Sequence, residues 1–157
     1  MTAPDPQSPL TLFLADEAAT AALGARLARV ARAGDVILLS GPIGAGKSHF
    51  ARAFLRARLG QGEEVPSPTF TLVQTYGPPG DEIFHADLYR LTHPDEVWEL
   101  GLDDAFTQAI CLVEWPDRLG THLPPHALRL DLSAMGEGRR AILTGGREAL
   151  RKAALDV

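Results

Sequence analysis

Val36-Ile37-Leu38-Leu39-Ser40-Gly41-Pro42-Ile43-Gly44-Ala45-Gly46-Lys47-Ser48 is the stretch on which the reading of the whole chain turns. Val36–Ser40 is a continuous aliphatic run ending in serine, the pattern of a strand buried on both faces in a parallel sheet. Gly41 to Ser48 then reads glycine, four residues, Gly-Lys-Ser, the phosphate-binding loop pattern. Each part has a physical reason. Glycines let the backbone curl so that successive N–H groups point at an anion. A helix starting there adds the positive end of its dipole. Lysine places a compact charge between the terminal phosphates, and the serine hydroxyl is a hard oxygen ligand for Mg²⁺. The loop stands between an apolar strand and an amphipathic helix expected over about 48–59, where this chemistry requires it. Gly41, Ile43, Gly44, Ala45, Gly46, Lys47 and Ser48 are therefore the candidate nucleotide-binding residues.

Outward from this loop, strands and helices alternate. Leu10–Leu14 reads as a short strand, followed by Asp16 as a helix N-cap with Glu17 in the first turn. Ala19, Leu23, Leu27 and Val30 recur at helical spacing, with Gly34 as the stop. Residues 60–68 read as a loop and 70–76 as a strand, with a tight polar turn at 77–81. Further strands are expected at 83–88 and 110–114. Between them an acidic helical stretch runs from about 94 to 108, interrupted near Gly101. Residues 128–132 and 140–143 form a closing hairpin, and 147–155 a last helix. The fold class is therefore α/β: a three-layer domain like that of the P-loop NTPases, with a mostly parallel central sheet flanked by helices and a C-terminal antiparallel hairpin.

Composition narrows the function. A chain of 157 residues suits one domain, with residues 1–9, rich in proline and polar groups, expected to be flexible. Apolar residues at 45% and charged residues at 22% are ordinary for a globular protein and argue against disorder. One cysteine, Cys111, excludes an internal disulfide and a four-cysteine zinc site, and suits the reducing cytoplasm. No secretory signal and no membrane span is expected. A net charge of −5 lacks the basic footprint of a lone nucleic-acid binder, so any work on RNA would go through a partner. The sequence contains no asparagine, so the guanine-reading Asn-Lys-x-Asp element is absent and ATP is the expected nucleotide. Only Lys47 and Lys152 break a strong preference for arginine, which otherwise supplies the basic residues.

A phosphate loop needs an acid near Mg²⁺ and a group that positions water. Two expected strands end in a carboxylate, Ile110-Cys111-Leu112-Val113-Glu114 and Ile83-Phe84-His85-Ala86-Asp87. Carboxyl ends of parallel strands line the ligand crevice, so both acids can face the phosphates. Glu114 is the better magnesium candidate, because a fully apolar strand ending in an acid suits a central position. Either acid has a plain alternative as a helix cap or a surface charge. Ser67-Pro68-Thr69-Phe70 offers a hydroxyl suited to a γ-phosphate switch, or an ordinary turn. Trp115 belongs to the core or walls the site. His122 and His126 are spaced for a helix, but Pro124-Pro125 breaks it, against a zinc pair.

In order and spacing, Gly44-Ala45-Gly46-Lys47-Ser48, Ser67-Pro68-Thr69-Phe70-Thr71-Leu72-Val73, His85-x-Asp87-Leu88-Tyr89-Arg90-Leu91, Glu99-Leu100-Gly101-Leu102 and Leu112-Val113-Glu114-Trp115 together resemble the TsaE (YjeE) family. The resemblance runs from about Leu12 to Arg139. It implies a P-loop ATPase needed to make threonylcarbamoyladenosine on tRNA, weak alone and activated by TsaB and TsaD, which carry the transfer chemistry and the tRNA contact. Carried over by position, it implies Ser48 and Glu114 as Mg²⁺ holders, Thr69 as switch residue, Asp87 as the group that orients or deprotonates water, Trp115 packed near the site and Arg139 near the nucleotide. Pro42 and Ile43 replace the usual acidic residue and leucine, Ser48 replaces threonine, and Pro42 removes one backbone N–H. A small P-loop kinase and an ATP-dependent scaffold with little turnover are the alternative readings. The kinase would need an arginine-rich lid, whereas Arg26, Arg29, Arg32, Arg52, Arg56 and Arg58 fall in expected helices.

Overall fold

The aliphatic run at 36–40 becomes the middle strand of a seven-stranded sheet. The structure, a computed structural model, describes residues 8–42, 44–60 and 72–155. In chain order it contains β1 (Leu10–Leu14), α1 (Glu17–Val30), β2 (Val36–Ser40), α2 (Lys47–Leu59), β3 (Val73–Tyr76), β4 (Ile83–Asp87), α3 (Glu96–Glu99), α4 (Leu102–Gln108), β5 (Ile110–Glu114), a 3-10 helix (Pro116–His122), β6 (Leu128–Met135), β7 (Gly138–Gly145) and α5 (Glu148–Leu155). The sheet order is β1-β7-β6-β2-β5-β4-β3. Its four central strands, β6, β2, β5 and β4, run parallel, and both flanks are antiparallel. The parallel character is thus concentrated around the phosphate loop.

Alternation along the strands builds two cores. Ile37, Leu39, Ile110 and Leu112 face α1, α2 and α5. Val36, Leu38, Cys111 and Val113 face α3, α4 and the 3-10 helix. Helices therefore cover both faces, the three-layer arrangement that continuous apolar strands require. Phe50 and Phe54 are fully buried under the first core, their ring centroids 6.5 Å apart. Truncating either to alanine costs about 3–5 kcal/mol, a large part of a total near 5–15 kcal/mol. The helices α1 and α2 approach at Gly24, where an added Cβ would lie 2.9 Å from the Phe50 carbonyl oxygen. Burial pushes the Cys111 thiol up to about 12, so it behaves as a small apolar core residue.

Several boundaries differ from the sequence expectation, each for a local reason. The Asp16 cap forms, its carboxylate accepting from the Ala19 N–H at 2.8 Å. The helix ends at Val30, well before Gly34, with Ala31 already extended. Asp35 causes this: it accepts the Arg32 N–H at 2.9 Å and is fixed by the Arg147 guanidinium at 2.9 Å, which holds a turn where helix was expected. Val30 consequently lies in the last turn, 37% exposed and outside the core. Leu72 adopts a left-handed φ of 63°, so β3 begins at Val73, and Phe70 and Thr71 lie outside the described residues. The hairpin β6–β7 is longer than expected, pairing from Leu128↔Gly145 to Met135↔Gly138. Among the described residues no helix is long and apolar enough to cross a membrane.

Candidate functional site

Parallel pairing brings the sequence-predicted groups to one edge. In the β4–β5 register Asp87 lies opposite Glu114, and Leu39, two residues before the loop, lies opposite Glu114 on the other side. Residues two apart on a strand share a face, so His85 and Asp87 project with Ile83, and Glu114 projects with Leu112. That is the face covered by α2, whose first turn supplies Lys47 and Ser48.

The loop itself is built from backbone. Gly41 has φ +137°, and a Cβ there would lie 2.2 Å from the Leu132 carbonyl oxygen. Only glycine fits this exit from β2. Lys47 is buried at the start of α2, donates from Nζ to the Gly41 carbonyl at 2.5 Å, and stands 3.6 Å from the centroid of the Trp115 ring. Desolvation lowers its pKa, while the Glu114, Asp87 and Asp117 carboxylates oppose that shift. Trp115 itself adopts a left-handed φ of 59°. This conformation costs a non-glycine residue about 1–3 kcal/mol and places the indole beside the loop.

Ser48 Oγ donates to Glu114 Oε1 at 3.0 Å, and the His85 Nε2 is 2.8 Å from Glu114 Oε2. A serine hydroxyl and a carboxylate oxygen at this separation are a hard-oxygen pair of the kind Mg²⁺ accepts beside phosphate and water. They fit the ion that the sequence implied. Asp87 is half-buried, and its Oδ1 accepts from the Tyr89 N–H at 3.1 Å. Burial pushes its carboxyl above the ordinary aspartate value, the Tyr89 N–H pulls it back, and neighbouring Glu114 pushes it up again. A carboxylate tuned upward beside a phosphate site is suited to accept a proton or orient water.

These groups line a cavity of about 510 Å³, walled by Gly44, Gly46, Lys47, Ser48, Asp87, Glu114 and Trp115, with His49, Arg52, Tyr89 and Arg90 at its margin. Ala45 is buried behind the loop. Arg139 stands against the loop itself. Its guanidinium donates to the carbonyls of Ala45 at 3.1 Å and Gly44 at 3.0 Å, so it braces the loop from the hairpin side. It also borders a smaller cleft of about 200 Å³ with Asp16, Glu17, Thr20, Gly44 and Gly46. Ile43 and Thr69 lie outside the described residues. His122 bonds Asp95 at 2.8 Å and His126 bonds the Gly34 carbonyl at 2.9 Å, so the two histidines hold different partners. Sequence reasoning gave His85 no role, although it stands two residues before Asp87 on the same strand face.

This geometry can be set beside known proteins. The family model described as threonylcarbamoyl adenosine biosynthesis protein TsaE matches residues 14–142. The chain belongs to the TsaE family. A Rickettsia felis tRNA threonylcarbamoyladenosine biosynthesis protein TsaE is 36% identical over 140 residues, covering 88% of this chain and 82% of the relative. Its Bacillus subtilis counterpart is 38% identical over 124 residues, covering 78% of this chain and 77% of that one. The fold is similar as well: the crystal structure of Bacillus subtilis YdiB superposes with a TM-score of 0.72 at 25% identity, covering 93% of this chain and 91% of that one. The TsaE family is one of tRNA threonylcarbamoyladenosine biosynthesis, and the phosphate loop of this member accords with its fold.

Proposed function

We propose that this TsaE-family chain is the Mg²⁺-dependent ATP-binding and ATP-hydrolysing component of the machinery that makes threonylcarbamoyladenosine on tRNA. The observation that carries this reading is the convergence of Lys47, Ser48, Glu114 and Asp87 on one cavity at the end of β2. Gly44, Gly46 and the first turn of α2 present N–H groups to the β- and γ-phosphates, and Lys47 adds charge. Ser48 and Glu114 hold Mg²⁺, which supplies charge neutralisation at the phosphoryl group. Asp87 orients the attacking water and receives its proton, and Trp115 walls the site against bulk water. Thr69 is assigned as the γ-phosphate switch from its motif alone. The turn at 15–17, whose Asp16 and Glu17 border the second cleft, is the proposed reader of adenine.

The acidic balance of the chain supports indirect rather than direct contact with tRNA, and the proposal takes TsaB and TsaD as the protein partners of a single domain acting in the cytoplasm. Release of ADP from the purified chain, alone and then with TsaB and TsaD, tests the reading. Slow turnover alone and strong stimulation by the pair is the expected result. Absence of stimulation despite nucleotide binding overturns partner activation, and phosphoryl transfer to a metabolite would replace the ATPase with a kinase.

A further inference from the structure

His85 is one of the few polar residues that the core of the described chain buries, and its surroundings give it one purpose. Its side chain is 1% exposed and that of its partner Glu114 3%. Nε2 lies 2.8 Å from Glu114 Oε2, while Nδ1 has no hydrogen-bond partner among the described residues. Burying an imidazole with one nitrogen unsatisfied is unfavourable compared with an aliphatic side chain of similar size. The position lies between Phe84 and Ala86, on the same face as the fully buried Ile83, where a leucine would pack without that cost. Among the described residues, what a histidine makes here that a leucine would not is the contact with Glu114.

The contact has a direction. A carboxylate only accepts, so the tautomer that satisfies this contact has its N–H at Nε2 and donates to Oε2. The terminal torsion of a glutamate is otherwise broad, and its two oxygens can exchange places or swing away. With Oε2 held by a ring on the adjacent strand, Oε1 is the oxygen directed at Ser48 Oγ, 3.0 Å away. Two strands fixed by parallel pairing thus set the rotation of one carboxylate, in the way that outer partners orient metal ligands.

We infer that His85 is a positioning residue, which fixes the Glu114 carboxylate so that Oε1, together with Ser48 Oγ, is presented to the divalent cation of a bound nucleotide. The inference rests on the nucleotide reading above. It requires no change in the charge of His85, only a donor at the distance of Nε2.

The test uses the full chain with His85→Leu, His85→Asn and His85→Gln, and measures binding of a fluorescent ATP analogue across a Mg²⁺ titration and in EDTA. Glutamine reaches about as far as Nε2 and keeps a donor there, asparagine keeps an amide that is too short, and leucine keeps only volume. Leucine and asparagine should raise the half-saturating Mg²⁺ concentration by about 10- to 100-fold, the usual effect of losing a ligand's outer partner. Affinity in EDTA should be unchanged, and glutamine should recover most of the Mg²⁺ response. Equal loss of affinity with and without Mg²⁺, or a Mg²⁺ response identical in glutamine and asparagine, overturns the assignment. If the leucine variant does not fold, the glutamine–asparagine pair carries the comparison. A wild-type chain that binds nucleotide with no Mg²⁺ dependence overturns the Ser48–Glu114 reading itself, and the role of His85 with it.

Discussion

Lys47 holds its ammonium 3.6 Å from the centroid of the Trp115 ring while donating to the Gly41 carbonyl at 2.5 Å. The two contacts differ in kind. The carbonyl consumes one of three ammonium protons, whereas the indole face attracts the charge without consuming a donor. Burial has already removed water from the group and lowers its pKa, a shift that the nearby carboxylates oppose. An anion entering the loop meets an ammonium that is desolvated, positioned and still able to donate.

The indole is accordingly a reporter of the site. In a Trp98→Phe variant Trp115 is the remaining tryptophan, and its emission should change on adding ATP or ADP as the ammonium turns to phosphate. The same titration in Trp115→Phe, which keeps the exposed Trp98, should be flat. A response retained there would show that the nucleotide does not act on the Lys47–Trp115 pair.

Lys47→Ala should abolish hydrolysis and weaken nucleotide binding by about 10- to 100-fold, the worth of a charge-assisted hydrogen bond of roughly 1.5–3 kcal/mol. Lys47→Arg should not rescue it. A planar guanidinium is too large for a ring of backbone N–H groups, and its fork suits flat two-pronged contacts rather than a point between phosphates. Isothermal titration of both variants checks this, and wild-type affinity in the arginine variant would remove the steric argument.

Asp87 links activity to pH in a defined direction. Its native carboxyl is raised above the ordinary value, chiefly by burial, so the acid limb of hydrolysis should lie above the ordinary aspartate range and vanish in Asp87→Asn. That variant should lose about 10²- to 10⁴-fold in turnover, the range for a positioned proton acceptor, with nucleotide affinity nearly intact. Stability should move the other way. A native carboxyl that holds its proton more tightly than the unfolded chain contributes stability below the ordinary aspartate range and loses it as pH rises through the raised value. Asp87→Asn should therefore melt above wild type at neutral pH, and thermal scans should show the gap closing as the pH is lowered through the carboxylate range.

Readability from sequence followed locality. Strand β2, the loop and the start of α2 are contiguous, and each step from Val36 to Ser48 constrains the next, so fold class and phosphate site emerged together. Strand β5 was equally plain, because Ile110–Glu114 is apolar on both faces. Long-range terms were not visible. The end of α1 depends on Arg147, more than a hundred residues away, reaching Asp35. The part played by His85 depends on β4 lying beside β5 with its alternate residues facing α2, and a single histidine in an apolar run carries no sign of that. The preference for arginine over lysine carries no placement in the sequence, yet Arg26, Arg58, Arg139, Arg147 and Arg151 all donate to backbone carbonyls distant in sequence or at element ends. A five-donor fork satisfies such carbonyls in ways a lysine cannot.

Arg139 makes that distinction measurable. The sequence resemblance puts it near the nucleotide, and its guanidinium bonds the Gly44 and Ala45 carbonyls of the loop and the adjacent Gly138 carbonyl at 2.9 Å. Fixing those carbonyls holds the two peptides on either side of Ala45, whose own N–H donates to the Pro42 carbonyl at 3.1 Å. Loss of the brace should loosen the loop without removing any group that touches the ligand. Arg139→Lys, with one ammonium in place of a fork, should therefore weaken ATP and ADP by similar factors of about 5- to 30-fold, as expected from one or two hydrogen bonds of about 1 kcal/mol each. Melting should be nearly unchanged, because the hairpin pairing that carries Arg139 stays intact. A direct contact to the γ-phosphate would instead penalise ATP alone. Parallel titrations with the two nucleotides decide between a brace and a ligand, and a selective loss of ATP affinity would return Arg139 to the nucleotide itself.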